Sequence, residues 1–92
     1  MLTRAPRTDA PLAALAFKVA FRDGRKIVFL RVFSGALRAG EQVWNPRTRR
    51  PERATRLFHV HADKRVAVDA AVAGEIVAAA GLEHATTGDT LC

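Results

Sequence analysis

Ile27-Val-Phe-Leu-Arg-Val-Phe-Ser-Gly-Ala-Leu-Arg-Ala-Gly-Glu-Gln-Val-Trp44 is the stretch that decides the fold. Its first seven residues are β-branched, aromatic or aliphatic apart from one arginine, a composition typical of strands. Period-two alternation gives this strand one wholly apolar face, Val28, Leu30 and Val32, and a second face with a single charge, Ile27, Phe29, Arg31 and Phe33. Ser34-Gly35 predicts a turn, and a second short strand is predicted from Glu41 to Trp44.

Further strands are predicted on both sides of this stretch. Residues 15–21 alternate with Leu15, Phe17, Val19 and Phe21 on one face, and Asp23-Gly24 within residues 22–25 predicts a tight hairpin. A turn is expected at 45–51, a strand at 52–61, a loop at 62–65 and the start of a closing strand at 90–92. About six or seven short strands at this spacing predict an all-β fold, a small antiparallel closed β-barrel over residues 11–92. Residues 1–10 are expected to form a flexible N-terminal arm or linker.

The composition is that of one folded domain with an excess of arginine. The 92 residues are 49% hydrophobic and 26% charged, which excludes a disordered chain and leaves room for one modest core. Twelve arginines and three lysines against nine acidic residues give a net charge of +6. Arginine suits bidentate phosphate contact, so nucleic acid is a natural partner. A basic surface that results only from an Arg- and Ala-rich coding bias is the alternative that composition leaves open.

The sequence shows no signal for a membrane or an oxidising compartment. It contains no apolar run long enough to span a bilayer, and residues 1–9 lack the apolar centre of a secretory signal. The single cysteine, Cys92, excludes an internal disulfide and fits a reducing compartment. We therefore expect a cytoplasmic protein that does not contact membranes.

Catalytic and metal-binding motifs are missing from the sequence. There is no Gly-x-x-x-x-Gly-Lys-Ser/Thr, Gly-x-Ser-x-Gly or His-Glu-x-x-His segment, so phosphate-loop, serine hydrolase and zinc enzymes lack their minimal parts. His59-x-His61 places two imidazoles on one strand face, but without an evident third ligand a surface or partner-facing pair is more common than a metal site. We expect no catalytic residues, no metal and no cofactor in this segment.

Five segments resemble the second domain of the translational GTPases, and of elongation factor G in particular. They are Phe29–Gly40, Pro11–Lys18, His61–Arg65, Ala73–Ile76 and Thr87–Leu91, and the similarity covers about residues 11–92. The resemblance implies the β-barrel of a translation-factor domain II. It also implies that the Ala-rich residues 66–80, for which propensity favours a helix, form an extended piece, a turn at Gly74 and a strand at 75–80. The turn at 22–25 is shorter than in elongation factor G, so an elongation-factor-G-like paralogue stays open.

The resemblance further implies a positional role in a larger protein. The module would pack on the parent's own GTP-binding domain and contact ribosomal RNA of the small subunit during GTP-dependent translocation. GTP and Mg would be bound by that GTP-binding domain, which this segment lacks, and the isolated domain is expected to be a monomer. Two alternatives remain: a free-standing small-barrel RNA-binding protein, and the same barrel in a ribosome-protection or recycling factor.

Seven basic residues are candidates for contact with RNA or the GTP-binding domain: Arg31, Arg38, Arg47, Arg49, Arg50, Lys64 and Arg65. Arg31 and Arg38 flank the Ser34-Gly35 turn within the motif that carries the resemblance. The cluster at 47–50 lies at a turn, where charges are usually only solvated. Phe29 and Phe33 share a strand face with Arg31 and could stack on bases, but we favour interdomain packing for them.

Overall fold

The structure is a computed structural model that describes residues 11–61 and 64–92, and the regular structure in these residues is entirely β. Two long strands, β1 (Ala13–Arg22) and β2 (Arg25–Ser34), are followed by eight short ones. These are β3 (Ala36–Arg38), β4 (Gln42–Asn45), β5 (Arg50–Arg53), β6 (Arg56–His61), β7 (Lys64–Val68), β8 (Ala70–Val72), β9 (Ile76–Ala80) and β10 (Thr90–Leu91). No helix that could cross a bilayer is found in the described residues. The predicted arm at residues 1–10 lies outside them.

The strands form three antiparallel sheets that are joined by backbone hydrogen bonds. The largest has the order β10-β1-β2-β9-β6-β7, and the others are the pairs β3-β8 and β4-β5. Trp44 and Cys92 exchange two backbone hydrogen bonds, which attach β4 to the β10 edge. The Gly40 N–H donates to the Ala54 carbonyl and links the start of β4 to the end of β5. The predicted all-β barrel is confirmed, with ten strands in the described residues where about six or seven were expected.

The apolar face of β2 supplies the centre of the core. Val28, Leu30 and Val32 are fully buried, as their alternation predicts. They belong to one hydrophobic cluster that also includes Leu37 from β3 and Val43 from β4, so side chains of all three sheets pack in the same interior. At about 25 cal/mol per Å² of apolar surface removed from water, this burial is the main source of the barrel's stability.

The hairpin between β1 and β2 follows directly from its Asp-Gly pair. Asp23 and Gly24 have φ of 52° and 76°, and two successive positive φ values are what a two-residue type I′ turn requires. The turn brings Arg22 directly opposite Arg25 as the last pair of the ladder. The prediction of a tight turn at 22–25 is therefore confirmed.

The predicted single face of β1 is wrong because the strand is bulged. Its register against β2 shifts between Ala16 and Lys18, and an extra residue at this point reverses the alternation. Ala14 and Ala16 are the fully buried residues of β1, whereas Phe17 is exposed. The two alanines therefore fill the interior before the bulge and Val19 packs against the core after it, whereas the phenylalanines of β1 are exposed.

Three boundaries in the second half also differ from the sequence prediction. The strand predicted at 52–61 is two strands, β5 and β6, since the chain turns at Ala54-Thr55 and the Thr55 N–H donates to Ala80 of β9. Pro51 lies within β5, which pairs only with β4 among the described strands and so can accommodate a residue without an N–H. Lys64 and Arg65, expected in a loop, begin strand β7. The extended structure implied for residues 66–80 is confirmed by β8, the Gly74 turn and β9.

Candidate nucleic-acid interface

The outer face of the six-stranded sheet holds the aromatic candidates. We call this surface the outer face; on β2 it consists of the residues that alternate with the buried Val28 and Leu30. Register places Phe29 beside Ala78, and Ala78 beside Phe58, so two rings flank a buried alanine. Phe17, at the bulge of β1, contacts Phe29 with ring centroids 6.3 Å apart and planes tilted by 52°. The result is a row of aromatic rings across four strands.

Three cations lie over aromatic rings on this same face. The Lys18 Nζ atom is 5.5 Å from the Phe29 centroid. The Arg31 guanidinium is 5.8 Å from the Phe33 ring, and the Arg65 guanidinium is 5.6 Å from the Phe58 ring. Each contact fixes a positive charge above an apolar surface, at distances where the ring quadrupole attracts the cation. The structure thus gathers Phe29, Arg31, Phe33 and Arg65 of the predicted residues onto one surface.

The end of the outer face nearest the β1–β2 hairpin is a basic cleft of about 430 Å³. We call it the hairpin cleft; Arg22, Arg25, Arg56 and Arg65 line its sides, and Ile27 and Phe58 contribute apolar atoms. A second cleft, of about 310 Å³, adjoins it and shares Arg25 and Arg56. Asp23 is the only carboxylate among the residues that line the hairpin cleft.

Sequence analysis did not single out Arg22 and Arg25 or assign them to a site. The available signal was the Asp-Gly pair itself, because a two-residue turn makes the residues on either side of it direct cross-strand neighbours. Arg56 reaches the same place through the register, in which Ala80 pairs with both Ile27 and Arg56. No residue spacing in the sequence predicts that strand pairing.

Apart from Lys64 on β7, the other basic candidates lie outside the six-stranded sheet. Arg38 ends β3 and its Nη1 atom is 3.9 Å from Glu41 Oε2 in an exposed ion pair. Arg49 and Arg50 are exposed on the β4–β5 hairpin, where Arg49 has a φ of 56°. Lys64 is exposed at the start of β7, next to Arg65. The seven candidates therefore do not form one continuous basic patch.

Arg47 takes part in a buried polar network instead of standing free at the turn. Its Nε atom donates to Asp89 Oδ1 at 2.6 Å, and its Nη2 atom donates to the His84 carbonyl at 2.8 Å. Asn45 donates through Nδ2 to both Glu52 Oε2, at 2.8 Å, and Asp89 Oδ2, at 3.1 Å. Sequence analysis grouped Arg47 with its neighbours because the acceptor lies 42 residues further along the chain.

The charge of Asp89 is stabilised by this network. Burial alone would raise the pKa of the Asp89 carboxyl. Hydrogen bonds from Arg47, the Thr86 N–H and Asn45, together with the positive charge of Arg47, outweigh burial and hold the pKa of Asp89 below its usual value. The same hydrogen bond raises the pKa of Arg47. Asp89 and Arg47 are therefore a charged pair at neutral pH, and the pair fastens the β4–β5 hairpin to the segment before β10.

Metal binding finds no support in the part of the chain that the structure describes. No group of three or more His, Cys, Asp or Glu side chains is close enough to hold an ion there. His59 Nε2 lies 3.4 Å from Glu75 Oε2, and Glu75 also accepts a hydrogen bond from the Val72 N–H. His59 thus contacts the turn between β8 and β9.

Comparison with known proteins places the chain in a family. Residues 25–92 match the family model described as elongation factor Tu domain 2. The chain is 55% identical over 82 residues to "Elongation factor G 1" of Geobacter sulfurreducens, an alignment that covers 89% of this chain and 12% of the relative. It is 46% identical over 91 residues to "Elongation factor G 2" of Syntrophus aciditrophicus, covering 99% of this chain and 13% of the relative. The chain thus spans about an eighth of the length of these relatives.

Proposed function

This chain belongs to the elongation factor Tu domain 2 family, as a domain II of the elongation factor G type, and on that premise we propose that it is a non-catalytic module of a cytoplasmic translational GTPase. The module positions its parent on the ribosome by contacting RNA of the small subunit and by packing against the parent's GTP-binding domain. GTP and Mg belong to that neighbouring domain. The observation that supports this proposal best is the outer face, where cations held over aromatic rings lie beside exposed aromatic side chains.

The arginines of the outer face suit contact with an RNA backbone. Arg31 and Arg65 are exposed but each is held over a ring, so less side-chain entropy is lost when they meet a phosphate. Phosphate contact is independent of sequence, which fits a module that docks at a fixed place on a structured RNA. Lys64, beside Arg65, extends the same basic edge. Arg38 is assigned a secondary contribution because Glu41 already neutralises part of its charge.

The apolar part of the outer face suits an interdomain contact. Phe33 and Ile76 remain 45% and 52% exposed, and register places Ile76 beside Arg31, on the neighbouring position of the same face. Aromatic and aliphatic side chains left exposed together mark interaction surfaces more often than single exposed residues do. We assign Phe33, together with Phe29 on the same face of β2, to packing against the GTP-binding domain.

A domain exchange tests the proposal. The 82 residues of the Geobacter sulfurreducens relative that align with this chain are replaced by the chain, and GTP hydrolysis is measured with and without ribosomes. We expect the chimera to retain ribosome-stimulated hydrolysis. Introducing Arg31→Glu with Arg65→Glu should lower the stimulated rate by about tenfold, since two phosphate contacts are lost, and leave the rate without ribosomes unchanged.

The matched control is Arg49→Glu with Arg50→Glu, which makes the same change in net charge on a different sheet. It should alter the stimulated rate less than the outer-face variant does. A chimera that hydrolyses GTP but is not stimulated by ribosomes contradicts the proposed module. Equal losses in the two charge variants contradict the assignment of RNA contact to the outer face.

A further inference from the structure

The hairpin cleft brings together four arginines and one carboxylate, Asp23. Arg22, Arg25 and Arg56 form no ion pair with any carboxylate in residues 11–61 and 64–92. Arg22 and Arg25 are also direct cross-strand partners, an arrangement in which like charges repel. A local cost of this kind is typical of a binding site.

The cleft combines this charge with apolar atoms. Ile27, Phe58 and Ala80 line it together with the arginines, and Ile27 is nearly buried whereas Phe58 is partly covered by the Arg65 guanidinium. A volume of about 430 Å³ is in the range of small-molecule sites. Guanidinium groups match phosphate oxygens in geometry, and a guanidinium or phenyl ring offers a flat surface on which a base can stack. A simple anion would contact the arginines of the cleft but would make no use of its apolar surface.

We propose that the hairpin cleft binds a nucleotide, with the phosphate held by Arg22 and Arg25 and the base placed against Phe58 and Arg65. The nucleotide is either one unit of an RNA strand or a free mononucleotide. If its source is RNA, the inference rests on the proposed function and adds a defined contact to it. If its source is a free nucleotide, the site is independent of the ribosome.

The 92-residue chain is titrated with adenosine 5′-monophosphate, adenosine, inorganic phosphate and hexa-adenylate, and binding is followed residue by residue through amide NMR shifts. We expect shifts centred on residues 22–27 and 56–58, and affinity for adenosine 5′-monophosphate at least about fivefold above that for phosphate or adenosine. The variant with Arg22→Gln and Arg25→Gln should lose about tenfold in affinity, since both phosphate-binding groups are gone. Arg49→Gln with Arg50→Gln, the control of equal charge change, should keep the affinity within about twofold.

A second variant separates the two halves of the ligand. Phe58→Leu keeps an apolar side chain over Ala78 but removes the ring, so it should weaken binding of adenosine 5′-monophosphate and leave phosphate binding unchanged. Tighter binding of hexa-adenylate than of the mononucleotide, with a steep salt dependence, identifies RNA as the source. Equal binding of the two identifies a free nucleotide.

Several results overturn the inference. One is the absence of localised shifts up to about 10 mM adenosine 5′-monophosphate, the range in which even weak nucleotide contacts saturate. Another is an equal loss of affinity in the Arg49 and Arg50 control, and a third is binding of hexaglutamate at the cleft as tightly as hexa-adenylate. None of these depends on the ribosome assay, because they are measured on the isolated chain, and the chimera without charge substitutions keeps Arg22, Arg25 and Arg65. If the NMR titration fails but the chimera is stimulated by ribosomes, the nucleotide site is ruled out and the proposed function stands.

Discussion

Replacing Asp89 by alanine is expected to destabilise the barrel severely, because this one buried carboxylate joins the β4–β5 hairpin to the segment before β10. It accepts hydrogen bonds from Asn45 Nδ2 at 3.1 Å, from Arg47 Nε at 2.6 Å and from the Thr86 N–H at 3.0 Å. Asn45 is fully buried and Asp89 is 4% exposed, so water has little access to the hydrogen bond between them in the folded state. Removing the carboxylate takes one acceptor away from each of the three donors.

The expected loss can be estimated from the fully buried Asn45 and the part-buried Thr86 N–H. A buried donor deprived of its acceptor costs about 1–3 kcal/mol, so the two together give about 2–4 kcal/mol, allowing for the bond that Asn45 keeps to Glu52. Arg47 is left out of the sum because its guanidinium is about half exposed and can be hydrated. A domain of this size has a total stability of about 5–14 kcal/mol, so the loss is a large fraction of it. The corresponding drop in Tm is about 10–25 °C.

Urea unfolding and thermal unfolding, both followed by circular dichroism, measure the effect at neutral pH. Asp69→Ala is the control, since Asp69 is an exposed aspartate between β7 and β8 and its loss should change stability by less than about 0.5 kcal/mol. Asp89→Asn keeps one acceptor oxygen and the side-chain volume, so its loss of stability should lie between those of Asp69→Ala and Asp89→Ala. A loss below about 1 kcal/mol for Asp89→Ala would refute the argument that this network holds the β4–β5 hairpin to the barrel.

Three further perturbations are expected to show graded effects. The pKa of Asp89 is lower in the folded than in the unfolded protein, so its contribution to stability is present above the unfolded pKa and is lost as the pH falls through the folded pKa. Urea unfolding between pH 6 and 3 should therefore show the free energy of unfolding decreasing below about pH 4. The decrease should be less steep in Asp89→Asn. Gly81→Ala should cost at least about 3 kcal/mol, because the new Cβ would lie 2.7 Å from the Arg53 carbonyl oxygen at a φ of 97°. Gly88→Ala has open space around the new Cβ and a φ of 96°, so it should cost only about 1–2 kcal/mol of backbone strain. Similar losses of stability in urea for the two variants would contradict the steric argument. Leu30→Ala should cost about 2.5–5 kcal/mol in the same assay because Leu30 is a fully buried side chain at the centre of the core, and a loss under about 1 kcal/mol would contradict that placement.

The parts of the fold that sequence predicts are those set by local chemistry. Asp23-Gly24 specifies the hairpin, because few residue pairs tolerate positive φ at both positions. The alternation of Val28, Leu30 and Val32 specifies the buried face of β2. By contrast, the bulge at Ala16–Lys18 leaves no local signal, since it depends on which residues of β2 lie opposite. Alternation then assigns the larger residues to the interior, and the structure places the alanines there.

The candidate site shows the same division between local and distant information. Sequence identifies Arg31 and Phe33 as sharing a face because they lie two residues apart on one strand. It does not show that Arg47 meets Asp89, which is 42 residues away, or that Arg56 reaches the hairpin through Ala80. Charge clusters in sequence therefore locate basic turns, but only the register decides which of those charges are neutralised and which remain available to a ligand.

The distribution of aromatic side chains links the core of this barrel to its proposed role. The fully buried set consists mainly of alanine, valine and leucine, Ala14, Ala16 and Ala79 among them, and it includes none of the five phenylalanines and not Trp44. A narrow interior filled by small and branched residues reaches close packing without rings, so the rings are not needed there. Placed outside, they would be costly in an isolated domain unless something covers them. Lysine and arginine cover Phe29, Phe33 and Phe58 in part, and the remaining exposed area fits a domain that completes its packing against a neighbour.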